Sequence, residues 1–340
     1  MLKLKAVTYR PQQNMKKNII IDAVITWVDG DDPNHIAKRN AYGDSKIADR
    51  EDVGGVTRFR SVGEILYCVA SLNKFAPWLN KIYIVTDDQN PMLDQKINEL
   101  FPNGHIPMEI VDHKVIFDGY EEYLPTFNSI SIESMTWRIP GLSEHYIEFN
   151  DDLILAAPTT PEDFFTEDGD VVCYGDRQLQ LFVRLSRLFK YRRDGSKYVS
   201  FKESMLNATN FCDKDAHFIM LYHTPKSLLK SVYEEHYKEH PEHLIHNIKH
   251  RFRHASQYNA EELQYMKLYH AKRCVMRDAN SELLYMKAKN DTKYICRKLA
   301  KFSKQPTKKF GCFNSLDLAS KEGCRQVIEW IERRLNLNLL

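Results

Sequence analysis

The residues best suited to chemistry in this chain are acids that follow apolar runs. Tyr146-Ile-Glu-Phe-Asn-Asp-Asp-Leu-Ile-Leu155 climbs through apolar positions to Asn150-Asp151-Asp152 and returns to apolar residues. Asp and Asn are poor strand formers, so a strand exit built from them costs stability unless a site uses them. Oxygen ligands of this kind hold a hard cation such as Mg²⁺ or Mn²⁺. In open α/β sheets that edge is also where ligands collect. An Asn-Asp turn between two strands explains the same residues, and both readings stand at this level. Asp29-Gly30-Asp31-Asp32 after residues 19–28, and Asp87-Asp88-Gln89 after residues 81–86, repeat the pattern.

Basic and imidazole groups supply the complementary chemistry. Arg58 and Arg60 precede a helical apolar pattern over 62–75. Basic side chains and helix N-terminal amides together can hold a phosphate, although a solvated face accounts for them equally. His223 sits just before Pro225, after which the sequence predicts a helix, and Arg253 is a second fixed cation. Asn207 and Asn210 lie one turn apart on a helix predicted over 202–210. Arg184, Arg187, Lys190, Arg192 and Arg193 read first as a solvated face. His236, His240 and His243 have helical metal-ligand spacing, but Pro241 interrupts it. The sequence therefore favours no zinc cluster there.

The elements that must position these groups are legible as periodicity. Residues 19–28 are β-branched and almost continuously apolar, as a central parallel strand covered on both faces must be. Residues 81–86, 106–116 and 145–149 read as further strands, alternating with helices over 62–75 and 131–139. This alternation predicts an α/β fold, a mostly parallel Rossmann-like (GT-A-like) sheet flanked by helices, with a helical, basic C-terminal extension. The expected division is a leader over 1–14, an α/β catalytic domain over 15–260 and the extension over 261–340. Residues 290–310 are basic with little order signal, a candidate surface for anionic membrane lipid, and 320–335 reads as an amphipathic helix.

Composition narrows the function classes. With 340 residues, 43% hydrophobic, the chain can bury a sizeable core. A net charge of +2 gives no footprint of a nucleic-acid binder. Seven scattered cysteines without a Cys-x-x-Cys pair point to neither a zinc site nor a disulfide framework, and fit a reducing cytosol. No apolar run approaches the ~18 residues that span a bilayer. The first 17 residues have no hydrophobic stretch of a secretory signal.

Four blocks together resemble the Stealth family of sugar-1-phosphate transferases. They are Ile21-Asp-Ala-Val-Ile-Thr-Trp-Val-Asp-Gly30; Arg58-Phe-Arg60 through Ala76-Pro-Trp78 to Lys81-Ile-Tyr-Ile-Val-Thr-Asp-Asp-Gln89; Leu124-Pro-Thr-Phe127 through Arg138-Ile-Pro-Gly-Leu-Ser143 to Phe149-Asn-Asp-Asp152 and Pro161-Glu-Asp-Phe-Phe165; and, more loosely, His223-Thr-Pro225 to Arg253-His254. Leu66 and Ala70 stand where the second block usually has arginines, and Met135 where the third usually has histidine. The resemblance implies transfer of a sugar-1-phosphate from a UDP-sugar to a glycan hydroxyl, with release of UMP, in capsular or related surface polysaccharide. It implies Asp151 and Asp152 as metal-binding and catalytic groups with Mg²⁺ or Mn²⁺, His223 for proton transfer and Arg253 on the phosphate. Asp29, Gly30, Arg58, Arg60, Gln89, Asn128, Arg138 and Asn210 become substrate-binding candidates. A cytoplasmic enzyme, with peripheral membrane contact, is the implied setting. The competing readings are a metal-dependent glycosyltransferase releasing UDP and a non-catalytic carbohydrate-binding protein of a capsule assembly complex.

Overall fold

The computed structural model describes residues 19–43, 53, 62–187, 199–212 and 215–337. The expected leader, Arg58, Arg60, Lys190, Arg192 and Arg193 lie outside the described residues.

The main sheet has the order β3-β2-β1-β4-β8. Strands β1 (Ile21–Thr26), β2 (Ile82–Thr86), β3 (Met108–Asp112) and β4 (His145–Asn150) are parallel. β8 (Lys226–Leu229) closes the other edge antiparallel to β4. β1 and β2 are buried throughout, except for half-buried Thr26 by residue burial, because layers cover both faces, which is why their sequences carry no polar alternation. The edge strand β3 exposes Glu109 and Ile110. The α/β class and mostly parallel sheet match the sequence expectation.

The chain order decides where a ligand can sit. From β1 the chain winds outward through β2 to β3, then returns to place β4 on the opposite side of β1. The connections therefore diverge at the C-terminal ends of β1 and β4, the switch point where open α/β sheets bind ligands. Helices α1 (Pro33–Tyr42), α2 (Glu64–Phe75), α3 (Asp94–Leu100), α4 (His113–Ile116) and α5 (Ser129–Glu133) fill these connections. The helix expected over 131–139 is broken: α5 ends at Glu133, and a separate 3-10 turn covers Thr136–Arg138.

After β4 the chain changes sheets. Asp151 and Asp152 form the turn into β5 (Leu153–Leu155), which pairs antiparallel with β11 (Phe310–Asn314) in the order β10-β11-β5. Asn150-Asp151-Asp152 is thus a turn between strands, as one reading had it, and it lies at the C-terminal end of the parallel strands, where the other reading places a ligand. A third sheet, β7-β6-β9, comprises β6 (Val171–Leu179), β7 (His217–Leu221) and β9 (Cys274–Arg277). Helices α6 (Gln180–Arg187), α7 (Phe201–Ala208), α8 (Lys230–Glu239), α9 (Pro241–Ile248) and α10 (Ala260–His270) follow in chain order around it.

Residues 261–340 contribute strands as well as helices. β10 (Leu283–Lys287) lies between α11 (Ala279–Glu282) and α12 (Thr292–Ser303), and α13 (Lys321–Leu335) packs on α12 and α2. Most of the tract read as poorly ordered is helix α12, which buries Ile295, Leu299 and Phe302 on one face while Lys293 and Lys301 are exposed. Lys293, Arg297, Lys298 and Lys301 interleave with the apolar residues and conceal that spacing. No helix among the described residues is long and apolar enough to cross a membrane.

Candidate active site at the β4–β8 edge

The predicted helix after Pro225 begins only at Lys230; residues 226–229 are β8. Lys226-Ser-Leu-Leu is too short for periodicity to separate strand from helix, and pairing with β4 decides it. Lys226 lies opposite Glu148 in that ladder. The turn ahead of β8 carries His223 to the switch point, where Asp152 acts on it electrostatically. The imidazole is sandwiched between Tyr285, at 5.0 Å and 11°, and Phe201, at 5.8 Å and 21°. Burial holds His223 below the ordinary imidazole pKa, with Asp152 opposing.

Lys226, which sequence reasoning missed, fixes this turn. Its Nζ donates to the Tyr222 carbonyl and, at 3.3 Å, to Thr224 Oγ1, bracketing His223 on both sides. The lysine is buried, and burial pulls its pKa below the usual lysine value. A single lysine beside proline in a short segment reads as exposed, so no sequence signal marks it.

The acids here are poorly satisfied. Asp152 Oδ2 accepts from Asn314 Nδ2 at 3.2 Å and from the Cys312 thiol at 3.6 Å. Asp152 Oδ1 is buried and has no hydrogen-bond partner among the described residues. Burial, then Glu64 and Asp152, push the Asp151 carboxyl well above the usual range. Behind them Glu148 buries both oxygens without a partner among the described residues, and burial followed by Glu261 raises its pKa. Glu261 is pushed up to about 8, first by burial and then by Glu133. Arg253 donates to Ser129 Oγ at 2.5 Å and feels the charges of Glu133 and Glu261. Asp152, His223, Lys226, Glu148, Glu261 and Arg253 thus form one electrostatically connected series.

The remaining candidates lie elsewhere or serve the scaffold. At the β1–β2 edge, the Gln89 side chain accepts from the Asp29 N–H and donates to the Asp29 carbonyl, both at 2.9 Å. This pair ties the two strand exits together and fixes the turn through buried Gly30. A cavity of about 330 Å³ opens there, lined by Asp32, Asn34, Lys38, Asp87, Asp88 and Gln89. Two of its acids are occupied, Asp32 capping α1 and Asp87 meeting Lys38 at 3.2 Å and His35 at 3.6 Å, whereas Asp88 is exposed and its N–H donates to Asp112 Oδ2 at 2.6 Å. Burial alone would raise the Asp87 pKa, but the His35 hydrogen bond, His113 and Lys38 overcome it and hold it at about 2. His113 is buried and depressed to about 4, by burial against the pull of Asp87.

Asn128 is fully buried; its Nδ2 donates to His250 O and Gln257 Oε1, both at 2.9 Å, and so fastens the loop that presents Arg253. Arg138 donates to Ile116 O at 2.7 Å and Asp118 O at 2.8 Å. Asn210 is exposed past the end of α7, with Oδ1 3.4 Å from Arg184.

Residues 21–47 match conserved region 1 of the Stealth proteins and residues 58–172 match conserved region 2. The chain is 44% identical over 150 residues to the receptor polysaccharide phosphotransferase WefC of Streptococcus oralis, covering 44% of this chain and 42% of that protein. It is 43% identical over 150 residues to the capsular polysaccharide phosphotransferase WcwK of Streptococcus pneumoniae, covering 44% and 42%. It is 35% identical over 227 residues to the capsular polysaccharide phosphotransferase cps12A of Actinobacillus pleuropneumoniae, covering 66% and 57%. The chain therefore spans from two-fifths to under two-thirds of the length of these relatives. Among solved structures, the bifunctional glycosyltransferase WbbM aligns with a TM-score of 0.44 at 10% identity, covering 94% of this chain and 50% of that one.

Proposed function

From a chain that belongs to the Stealth family, carrying its conserved regions 1 and 2, we propose that it transfers a sugar-1-phosphate from a UDP-sugar to a glycan hydroxyl, as a phosphotransferase of capsular or related surface polysaccharide. The observation that carries this reading is the β4–β8 edge, where acids with unsatisfied oxygens lie near the His223 imidazole, buried Lys226 and half-buried Arg253. Relatives named as polysaccharide phosphotransferases support the reaction class.

The chemistry follows from the groups present. The acceptor hydroxyl attacks the phosphorus bearing the sugar; the new O–P bond forms as the bridging P–O bond to UMP breaks. His223, neutral at pH 7 because burial lowers its pKa, takes the hydroxyl proton as general base. Arg253 and Lys226 face the negative charge of the transferred group, and Arg253 can do so with a two-point contact. Asp29, held by Gln89, supports the nucleotide side of the cleft.

Asp151 and Asp152 fit a divalent cation. They are adjacent oxygen donors, one Asp152 oxygen is buried without a partner among the described residues, and burial, followed by Glu64 and Asp152, raises the Asp151 pKa. One or two carboxylates plus substrate phosphates are the usual Mg²⁺ complement. When bound, such an ion neutralises diphosphate charge.

The test is nucleotide release from a panel of UDP-sugars with Mg²⁺ and short acceptor glycans, with and without EDTA. UMP, lost on chelation and in Asp152→Ala, is the expected product. UDP instead would replace phosphoryl transfer by glycosyl transfer.

A further inference from the structure

The corner between α8 and α9 holds a cluster that phosphoryl transfer leaves unused. The proline that breaks the helical histidine spacing starts a new helix: α8 is capped by His240, and Pro241 opens α9. This turn gathers His240, Glu242 and His243 so that one donor atom from each lies within 4.8 Å of the other two. Glu242 Oε1 stands 3.4 Å from His240 Nδ1 and 3.6 Å from His243 Nε2. Donor atoms bound tetrahedrally at Zn²⁺ are separated by about 3.3 Å, given bonds of about 2.0–2.1 Å. The two measured separations need only a small contraction to reach that geometry.

The surroundings favour a built site over a chance meeting of side chains. His243 is anchored on the side away from Glu242. Its ring meets Phe211 edge-on at 4.9 Å, and its Nδ1 lies 3.2 Å from Nε2 of buried His236. Holding one ring nitrogen so that the other is aimed is the usual way a metal-ligating histidine is oriented. The His240 ring stacks on that of His243 at 4.7 Å. Glu242 is exposed and His240 half-buried, which leaves an entry path from solvent.

We propose that His240 Nδ1, Glu242 Oε1 and His243 Nε2 bind a divalent transition ion of the Zn²⁺ type, with water as fourth ligand. Two imidazoles and one carboxylate suit Zn²⁺ and disfavour Mg²⁺ and Ca²⁺, which prefer all-oxygen shells. The ion clamps the end of α8 to the start of α9. That corner frames the loop of Arg253, because His246 Nε2 bonds Ser256 O at 2.9 Å and Asn247 Nδ2 donates to Tyr258 O at 2.8 Å. Lys267 Nζ, 3.2 Å from His236 Nδ1, opposes the ion by like charge.

The experiment is calorimetric titration of the full chain, free of any affinity tag, with ZnCl₂ in the presence of excess MgCl₂. One Zn²⁺ per chain is expected, together with a rise in Tm. His240→Ala and Glu242→Gln, at sites with little packing to lose, should each weaken the affinity at least about 10-fold, and Lys267→Met should strengthen it. Absence of Zn²⁺ binding overturns the proposal. So does Zn²⁺ binding that is unchanged in the His240→Ala/Glu242→Gln double variant, since the ion would then be held by the cysteines or other histidines.

Discussion

Two edges of the same sheet treat their charges in opposite ways. At the β1–β2 edge three acids have partners: Asp87 has Lys38 and His35, Asp32 has the first amides of α1, and Asp112 has the Asp88 N–H. At the β4–β8 edge Asp152 Oδ1 and both Glu148 oxygens are buried without one among the described residues. The pKa directions follow: Asp87 is held down at about 2, whereas Asp151 and Glu148 are pushed well up. Buried polar groups are normally satisfied, so a cluster of exceptions is where a ligand completes the network. The cavity of about 330 Å³ opens at the edge whose buried acid is paired. Space and unsatisfied charge are therefore divided between neighbours.

Substitutions can break this contrast, and the largest effect belongs at β4. Asp152→Asn keeps the shape but removes the charge, and nucleotide release should fall about 10³-fold with Tm little changed. His223→Ala should lower kcat about 10²-fold or more. In the unsubstituted protein, kcat/KM should fall on acidification with a midpoint below the usual imidazole value of about 6.5, because the base must be unprotonated; this acid limb should vanish in His223→Ala.

Lys226→Met sharpens the contrast further. A roughly 10-fold loss of kcat is expected, since bond partners on both sides of His223 are lost. Removing a nearby cation also relieves one of the influences that depress His223, so the acid limb should move to higher pH. An unmoved limb would assign Lys226 to packing alone.

The smallest effect on turnover is expected at the satisfied edge. Asp87→Asn should change kcat less than about 3-fold but cost about 2 kcal/mol of stability at neutral pH, as the pKa difference from its ordinary 3.8 implies. The sign is fixed by the lowered pKa: this stability is present above pH 4 and lost as pH falls through about 2. Chemical denaturation between pH 2 and 6 should show that loss in the parent and not in Asp87→Asn. Should Asp87→Asn instead abolish turnover at unchanged stability, the division between a bonded edge and a reacting edge fails.

Much of this was readable from local pattern. The continuous apolar runs of β1, β2 and β4 announced buried parallel strands, and the polar residues that end them marked the sheet's ligand edge. His223 and Arg253 stood out as an imidazole and a guanidinium, and the fold links both to one buried charge series through Lys226 and Glu261. Asn128 and Arg138, singled out as substrate groups, hydrogen-bond to neighbouring segments of the chain, and residue type alone does not announce those partners. β8 was misread as helix because four residues hold too little periodicity to resist a neighbouring strand that offers its edge.

The sequence by itself determined the class of fold, the acids at the strand exits and the family to which the blocks belong, because each depends on residues near one another in the chain. Tertiary structure alone decided which acids are spent and which are waiting. Asn314 and Cys312 reach Asp152 across some 160 residues, Tyr285 covers His223 from β10, and Lys226 enters only because β8 pairs with β4. Burial and partner choice set the charge state of each group, and both are properties of packing between distant segments that no local pattern encodes.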